Sequence, residues 1–304
     1  MLSLEEGVPI AKIIKSRAFK SKDGKSKYLG LISPEELEKS NVNPGFNIDP
    51  YQLITEDEVE KEIGSRNTRK VRKSMREKIK NRKKTGNRFI LNDGMLSPVP
   101  NIEKERDVLY VSGPSGAGKS TFLAEYLDNY VDMFPENNIY IFSAVNHDPA
   151  FKHLERSGKM IRIVLDEEYL EDINDGDGIE VTDLYNSAAV FDDIDVITNT
   201  TIRNQIIQLR SECLEIGRHS NVTTCCTTHQ LCNFKATKIL LQEATKVVVF
   251  PRSGSTYHIK RFLKEYCGLN AAQIQEFLNL PSRWVMICKE YPQYVLARDC
   301  AYLL

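Results

Sequence analysis

The run Gly113-Pro114-Ser115-Gly116-Ala117-Gly118-Lys119-Ser120 has the residue types and spacing of a loop that wraps a phosphate, the Walker A form. Its glycines let the backbone close around an anion without Cβ clashes. Its amides, and the N-terminus of the helix pattern that follows, aim partial positive charge at that anion. Lys119 is then placed to reach the β- and γ-phosphates of ATP, and the Ser120 hydroxyl is a ligand for Mg²⁺, with Thr121 next in the first helical turn. Downstream, Ser187-Ala188-Ala189-Val190-Phe191-Asp192-Asp193 is an apolar strand ending in two acids, the Walker B form. Asp192 is expected to hold Mg²⁺, directly or through water, and Asp193 to orient and deprotonate the attacking water. The plainer reading is an acidic turn after a strand, with Asp195 close by. The position of this strand, roughly 70 residues after the loop, favours the chemical one.

Two further groups could complete such a site. The strand Val222-Thr223-Thr224-Cys225-Cys226-Thr227-Thr228 ends in His229-Gln230. Either His229 or Gln230 is a candidate sensor of the γ-phosphate, although a lone histidine is as readily structural. Arg210 and Arg218 lie on or just after the preceding helix pattern, and one of them is a candidate arginine finger toward a neighbouring subunit. A solvated helix-face arginine is the alternative for each. The chemistry of the set is phosphoryl transfer to water by positioning and charge stabilisation, without a covalent enzyme intermediate.

Elements of a particular kind must position these residues. Strand patterns cover Arg88 to Leu91, Val108 to Ser112, Ile139 to Ser143, Ile161 to Val164, Ala188 to Phe191, Val222 to Thr227 and Val247 to Phe250. Helical patterns cover Lys119 to Met133, Thr201 to Ile216, Leu240 to Ala244, Tyr257 to Tyr266 and Ala271 to Leu278. Apolar strands alternating with amphipathic helices predict an α/β fold, a P-loop NTPase with a mostly parallel central sheet flanked by helices. Trp284 to Cys288 and Tyr294 to Ala297 predict a closing C-terminal β-hairpin around Glu290-Tyr291-Pro292. Residues 1–86 read as an N-terminal extension and residues 87–304 as the P-loop ATPase domain. In the extension, Val8 to Ile14 and Tyr28 to Ile32 predict a small hairpin around Lys22-Asp23-Gly24. An acidic stretch from Glu56 to Glu62 then gives way to Arg66–Arg88, which holds twelve Lys or Arg and one Glu. There Val71, Met75 and Ile79 recur every fourth residue, the spacing of a short basic amphipathic helix.

The 304 residues are 41% apolar and 27% charged, ordinary for a globular protein with room for a core. No apolar run is long enough to span a bilayer. The N-terminus has neither a basic n-region nor an apolar h-region, so no secretory signal is expected. Seven cysteines without a Cys-x-x-Cys pair read as reduced thiols of an intracellular protein. With a formal net charge of −1, any nucleic-acid contact has to come from a local patch.

Taken in order, the markers resemble a known group. They are Val111 to Ser120; Ile141-Phe142-Ser143 with Asp148-Pro149-Ala150; Val190-Phe191-Asp192-Asp193-Ile194-Asp195; Gly217-Arg218-His219; Thr228-His229; Phe250-Pro251 leading to Ile259-Lys260-Arg261; and Ser282-Arg283-Trp284-Val285 leading to Tyr291-Pro292-Gln293-Tyr294-Val295. Over roughly Asn87 to Leu304 the chain resembles the poxvirus-type genome-packaging ATPases of nucleocytoplasmic large DNA viruses and related virophages, in the FtsK–HerA group. The resemblance implies an ATP-driven motor that moves double-stranded DNA into a preformed capsid. It also implies a homo-oligomeric ring, hexameric by analogy, with ATP sites between subunits, a capsid or portal-like partner, and a location in the host cytoplasm or nucleus. One departure concerns the group's sensor glutamine, which aligns with His229 here while Gln230 sits one residue later.

A packaging motor holds a phosphate backbone through Lys and Arg without reading bases. Arg66–Arg88 is a candidate tether, and equally a nuclear-import signal, a capsid-docking arm or a solvated linker. The loop at Asn146-His147-Asp148 is a candidate pore loop. The rival activity is a guanylate-kinase-like nucleotide kinase, whose phosphate loop has the same form. Against it stand the hundred or so residues before the loop and the paired acids at a strand end. A module that binds ATP only for assembly is the third reading.

Overall fold

The computed structural model describes residues 2–3, 7–14, 27–32, 88–91, 94–104, 106–233 and 237–304. The Lys22-Asp23-Gly24 turn, the acidic stretch and the basic run up to Asn87 lie outside the described residues.

Strands β1 (Leu2–Ser3), β2 (Val8–Ile14) and β3 (Lys27–Leu31) come first, followed by β4 (Arg88–Ile90) and β5 (Met95–Pro98). The expected hairpin is present as the antiparallel pair β2–β3. It is not isolated, because β2 also pairs with β5 to give a four-stranded sheet in the order β1-β3-β2-β5.

The larger part begins with β6 (Val108–Ser112), α1 (Lys119–Met133), β7 (Asn138–Ser143), α2 (Lys152–Arg156), β8 (Met160–Val164), α3 (Glu167–Asp175) and β9 (Ser187–Asp192). It continues with α4 (Thr200–Glu215), β10 (Thr223–Thr228), α5 (Lys238–Glu243), β11 (Lys246–Val249), α6 (Thr256–Glu265), α7 (Ala271–Leu278), β12 (Val285–Cys288), β13 (Tyr294–Ala297) and β14 (Cys300–Leu303). Ten strands form one sheet in the order β4-β14-β13-β12-β11-β6-β10-β9-β7-β8. The run from β11 to β8 is parallel, and β12, β13, β14 and β4 extend it by antiparallel pairing. The fold is therefore α/β with a mostly parallel core, and the expected closing hairpin is β12–β13.

The central strands show why the sheet is covered on both faces. Every residue of β6 is buried. Val108 and Tyr110 enter the core beneath α4 and α6, whereas Leu109 and Val111 enter the core beneath α1. This two-residue alternation into two apolar layers is what a buried parallel strand requires. Helix α1 buries Phe122, Tyr126 and Tyr130 at fourfold spacing, with Leu123 and Leu127 beside them. The N-terminal strands share this second core through Ile10, Ile13 and Leu29.

Elements outside the sequence patterns are β1, β5, α2, α3 and β14. All but α3 are too short to show a period, at two to five residues. Helix α3 carries legible signals that periodicity alone passes over. Asp166 caps it by accepting from the Glu168 and Tyr169 amides, and Gly176 closes it in the left-handed region.

Candidate active site

Parallel pairing carries the C-terminal ends of β6, β9, β10 and β7 to one edge of the sheet. In register, Ser112 lies beside Thr228, and Asp192 beside Ser143. Strand β10 sits between the loop-bearing strand β6 and the acid-bearing strand β9. That is the extra-strand arrangement expected from the spacing of the two motifs.

The glycine-rich loop leaves β6 at Gly113, whose amide donates to Thr228 O at 3.1 Å. Gly116 and Gly118 hold φ values of +74° and +108°, which residues with a Cβ rarely adopt. A Cβ on Gly113 would lie 2.7 Å from the Phe250 ring, so close packing also demands glycine there. Helix α1 starts at Lys119, with Ser120 half-buried and Thr121 exposed in its first turn, and Pro114 half-buried and Ser115 exposed on the loop. Lys119 is buried; its Nζ donates to Gly113 O at 3.1 Å and lies 3.3 Å from His229 Nδ1 and 3.4 Å from Asp193 Oδ2.

The two acids are separated by a backbone reversal. Asp192 ends β9 in the buried edge, while Asp193 takes φ +46° and turns its carboxylate toward Lys119. Short polar residues tolerate this region better than others. Thr227 on β10 ties both acids together. Its Oγ1 lies 2.8 Å from Asp192 Oδ1 and 3.2 Å from Asp193 Oδ1, and it accepts from the Asp193 amide at 2.8 Å. Burial raises the Asp192 carboxyl from its ordinary value, and the neighbouring Asp193 and Asp148 charges add to this, against the Thr227 hydrogen bond and Lys119.

His229 and Gln230 part company here. His229 faces both Lys119 and Asp193, its Nε2 lying 3.2 Å from Asp193 Oδ2. Gln230 turns away, and its Oε1 accepts from Asn233 at 3.1 Å. Tyr110 OH pins this corner from below through Thr228 Oγ1 at 2.8 Å and Gln230 O at 2.9 Å. A cleft of 480 Å³ opens beside the loop, between Gly113, the His229–Asn233 turn and the first turn of α6 at Ser255 and His258.

The two arginines stand differently. Arg210 is 4% exposed in α4, with Nη1 3.9 Å from Asp195 Oδ1, so it has no free reach to a neighbouring copy. This corrects its standing as a finger candidate: its position on α4 turns it into the core. Arg218 is exposed, in the turn that precedes β10, and so lies at the sheet edge opposite the loop. It can serve only a neighbour whose loop edge docks there.

Oxygen donors of the type a hard divalent cation takes stand at the loop edge, Ser120 on α1 and the Asp192 carboxylate at the end of β9. The left-handed glycines and the α1 N-terminus suit a polyphosphate. Two supporting residues carry no signal in the sequence that singles them out. Thr227 reads as one polar residue in a strand, and Arg283 as part of a marker. Arg283 donates to Ala117 O and Gly116 O, more than 160 residues away, and no local pattern predicts such a contact.

Comparison with known proteins places the chain. It is 36% identical over 220 residues to the uncharacterized protein V3 of Sputnik virophage, covering 72% of this chain and 85% of that protein. Among solved structures, the genome packaging NTPase B204 from Sulfolobus turreted icosahedral virus 2, in complex with ATP-gammaS, matches at TM-score 0.40 and 11% identity, over 60% of this chain and 91% of that one. The cytoplasmic domain of the type VII secretion ATPase EccC from Thermomonospora curvata matches at TM-score 0.45 and 13% identity, over 70% and 28%. No family profile matches the chain. The structural overlaps are partial, and the fold rests on the strand order itself. The virophage side of the sequence resemblance is borne out by V3, which aligns over most of both chains: the protein belongs to the same family as Sputnik virophage V3.

Proposed function

We propose that this protein hydrolyses ATP and uses the turnover to drive double-stranded DNA into a capsid. The observation that carries the hydrolytic part is the placement of Asp193. It stands beside the loop lysine, tied by Thr227 to Asp192 and contacted by His229. A kinase presents a hydroxyl or phosphate acceptor and has no need of a second carboxylate at this point. An ATPase needs one to take a proton from water.

In this reading the loop amides and Lys119 bind the β- and γ-phosphates, and Ser120 and Asp192 hold Mg²⁺, which supplies charge neutralisation at the phosphates. Asp193 orients a water and accepts its proton as the water oxygen attacks the γ-phosphorus and the bond to the β-γ bridging oxygen breaks, releasing ADP. His229, whose ring meets Lys119 and Asp193, is the γ-phosphate sensor in this reading. The coupling to DNA rests on the ordered markers shared with packaging ATPases and on membership of a viral family. A ring of identical copies with sites between them, a capsid or portal-like partner, Arg218 acting on a neighbour, the Asn146-His147-Asp148 loop in the pore and a location inside the infected host cell belong to the same proposal. The exposed Asn146 and His147 at the loop-bearing edge suit the pore assignment.

The test is phosphate release from ATP with and without duplex DNA. Stimulation by DNA is expected. Phosphate transfer to GMP with no effect of DNA would establish a kinase instead. Asp193→Asn is expected to bind ATP normally and to lose turnover by at least about a hundredfold. Unchanged hydrolysis in that variant would rule out Asp193 as the group that takes the water proton.

A further inference from the structure

We infer that Arg283 is a positioning residue for the phosphate loop, acting from outside it. The inference rests on the reading of this loop as the ATP site. A loop whose amides turn inward to an anion turns its carbonyls outward, where side-chain donors can hold it in place. Arg283 supplies them. Its Nε donates to Ala117 O at 2.8 Å and its Nη2 to Gly116 O at 3.0 Å, the two-pronged edge of a guanidinium gripping consecutive peptides.

The consequence for the inner side follows from peptide planarity. With Ala117 O held on Arg283, the Gly118 amide in the same peptide plane points the opposite way, into the loop. With Gly116 O held, the Ala117 amide is directed to Pro114 O, at 3.2 Å. Gly116 and Gly118 have the freest backbones in the run, so these are the peptides most able to flip a carbonyl into the phosphate position. A Cβ on Gly118 would lie 3.3 Å from the Arg283 guanidinium, so the same contact limits what residue 118 can be.

The arginine is itself held. Its neighbours Ser282 and Trp284 are both buried. Ser282 Oγ bonds Trp284 O and accepts from the Arg298 amide at 3.2 Å. The Trp284 ring packs edge-on against Phe122 in the first turn of α1, with centroids 4.9 Å apart. The segment bearing Arg283 is thus clamped to the helix that the loop launches, while the arginine itself stays exposed with its guanidinium turned to the loop carbonyls. A surface arginine engaged only for packing would have no reason to commit both prongs to the phosphate loop.

The experiment compares wild type, Arg283→Ala and Arg283→Lys in steady-state ATP hydrolysis, in calorimetric binding of ATP and ADP, and in thermal melting without nucleotide. Arg283→Ala is expected to raise KM for ATP roughly tenfold, with kcat changed less than about threefold, because a loop of mixed conformation binds less often. ATP and ADP are expected to weaken alike, since the loop peptides serve the shared phosphates. Arg283→Lys, a single point donor, is expected to fall between. A wild-type KM in both variants overturns the inference, as does a loss confined to ATP. If Arg283→Ala melts too low to assay, Arg283→Lys decides: a wild-type KM there shows that the fork is not needed. If the wild-type chain binds and hydrolyses no ATP, the site reading itself fails, separately from Arg283.

Discussion

Thr227 has one hydroxyl proton and two carboxylates within reach, so it donates to one acid at a time while accepting from the Asp193 amide. Replacing it with valine keeps the shape and removes the tie. We expect Thr227→Val to lower kcat by roughly 10–100-fold, as loss of a supporting partner does, and Thr227→Ser to restore most of it. The same residue moderates Asp192, whose carboxyl burial already pushes up. A carboxyl with a raised pKa in the fold binds a proton over a pH window where the unfolded chain does not, so its contribution to stability falls as pH rises through that window. At neutral pH, Asp192 is therefore a destabilising charge in the absence of Mg²⁺. Asp192→Asn is expected to melt higher than wild type at pH 7 without Mg²⁺ and to lose ATP turnover. In wild type, apparent Mg²⁺ affinity is expected to weaken on acidification from a pH above the ordinary aspartate range of about 3.9. Titrations at stepped pH check both.

At the scale of elements, the opposite edge of the sheet holds a buried ion pair. Asp107, before β6, and Lys246, opening β11, are 1% and 4% exposed. Tyr126 of α1 donates to Asp107 at 2.6 Å, the Asn101 amide donates to the same carboxylate at 3.1 Å, and Lys246 donates to Val99 O at 3.0 Å. Two central strands, the first core helix and the segment after β5 meet in this one cluster. Lys246→Met would strand a buried carboxylate, and we expect it to cost about 3–5 kcal/mol in chemical denaturation. Adding Asp107→Asn should recover much of that loss. ATP affinity of the folded fraction should not change, because the cluster lies at the far ends of the strands that carry the site. The cluster is not legible in the sequence. Asp107 and Lys246 are 139 residues apart, and each reads alone as a polar residue bounding a strand.

At the scale of the whole molecule, the charge balance leaves little general attraction for DNA, so contact has to be local. Arg88, the last of the basic run, is already committed. It pairs with Glu276 and lies over the Tyr302 ring at 5.4 Å, on a strand that closes the sheet. The run from Arg66 to Lys84 is the part left to test. Changing Lys80, Arg82, Lys83 and Lys84 to alanine is expected to leave ATP turnover without DNA unchanged and to raise the DNA concentration for half-stimulation. The salt slope should fall by about 0.9 for each DNA phosphate that the run neutralises in wild type. An unaltered slope would assign the run to a linker.

Much of the fold and the outline of the site were determined by sequence alone. Gly113 to Ser120 between a strand and a helix, Asp192-Asp193 at a strand end, and the α/β alternation are local patterns, each complete within a few turns of chain. Such patterns survive reading because backbone geometry and side-chain period act over short distances. Tertiary structure decided the rest. It chose His229 over Gln230 as the side chain that meets Lys119 and Asp193, and it buried Arg210. It joined the N-terminal hairpin to β5, and it set Arg283 against the phosphate loop. Each of these depends on which strands lie side by side and on which way a side chain turns in a packed core. Those are properties of pairs distant in sequence, and no local spacing encodes them.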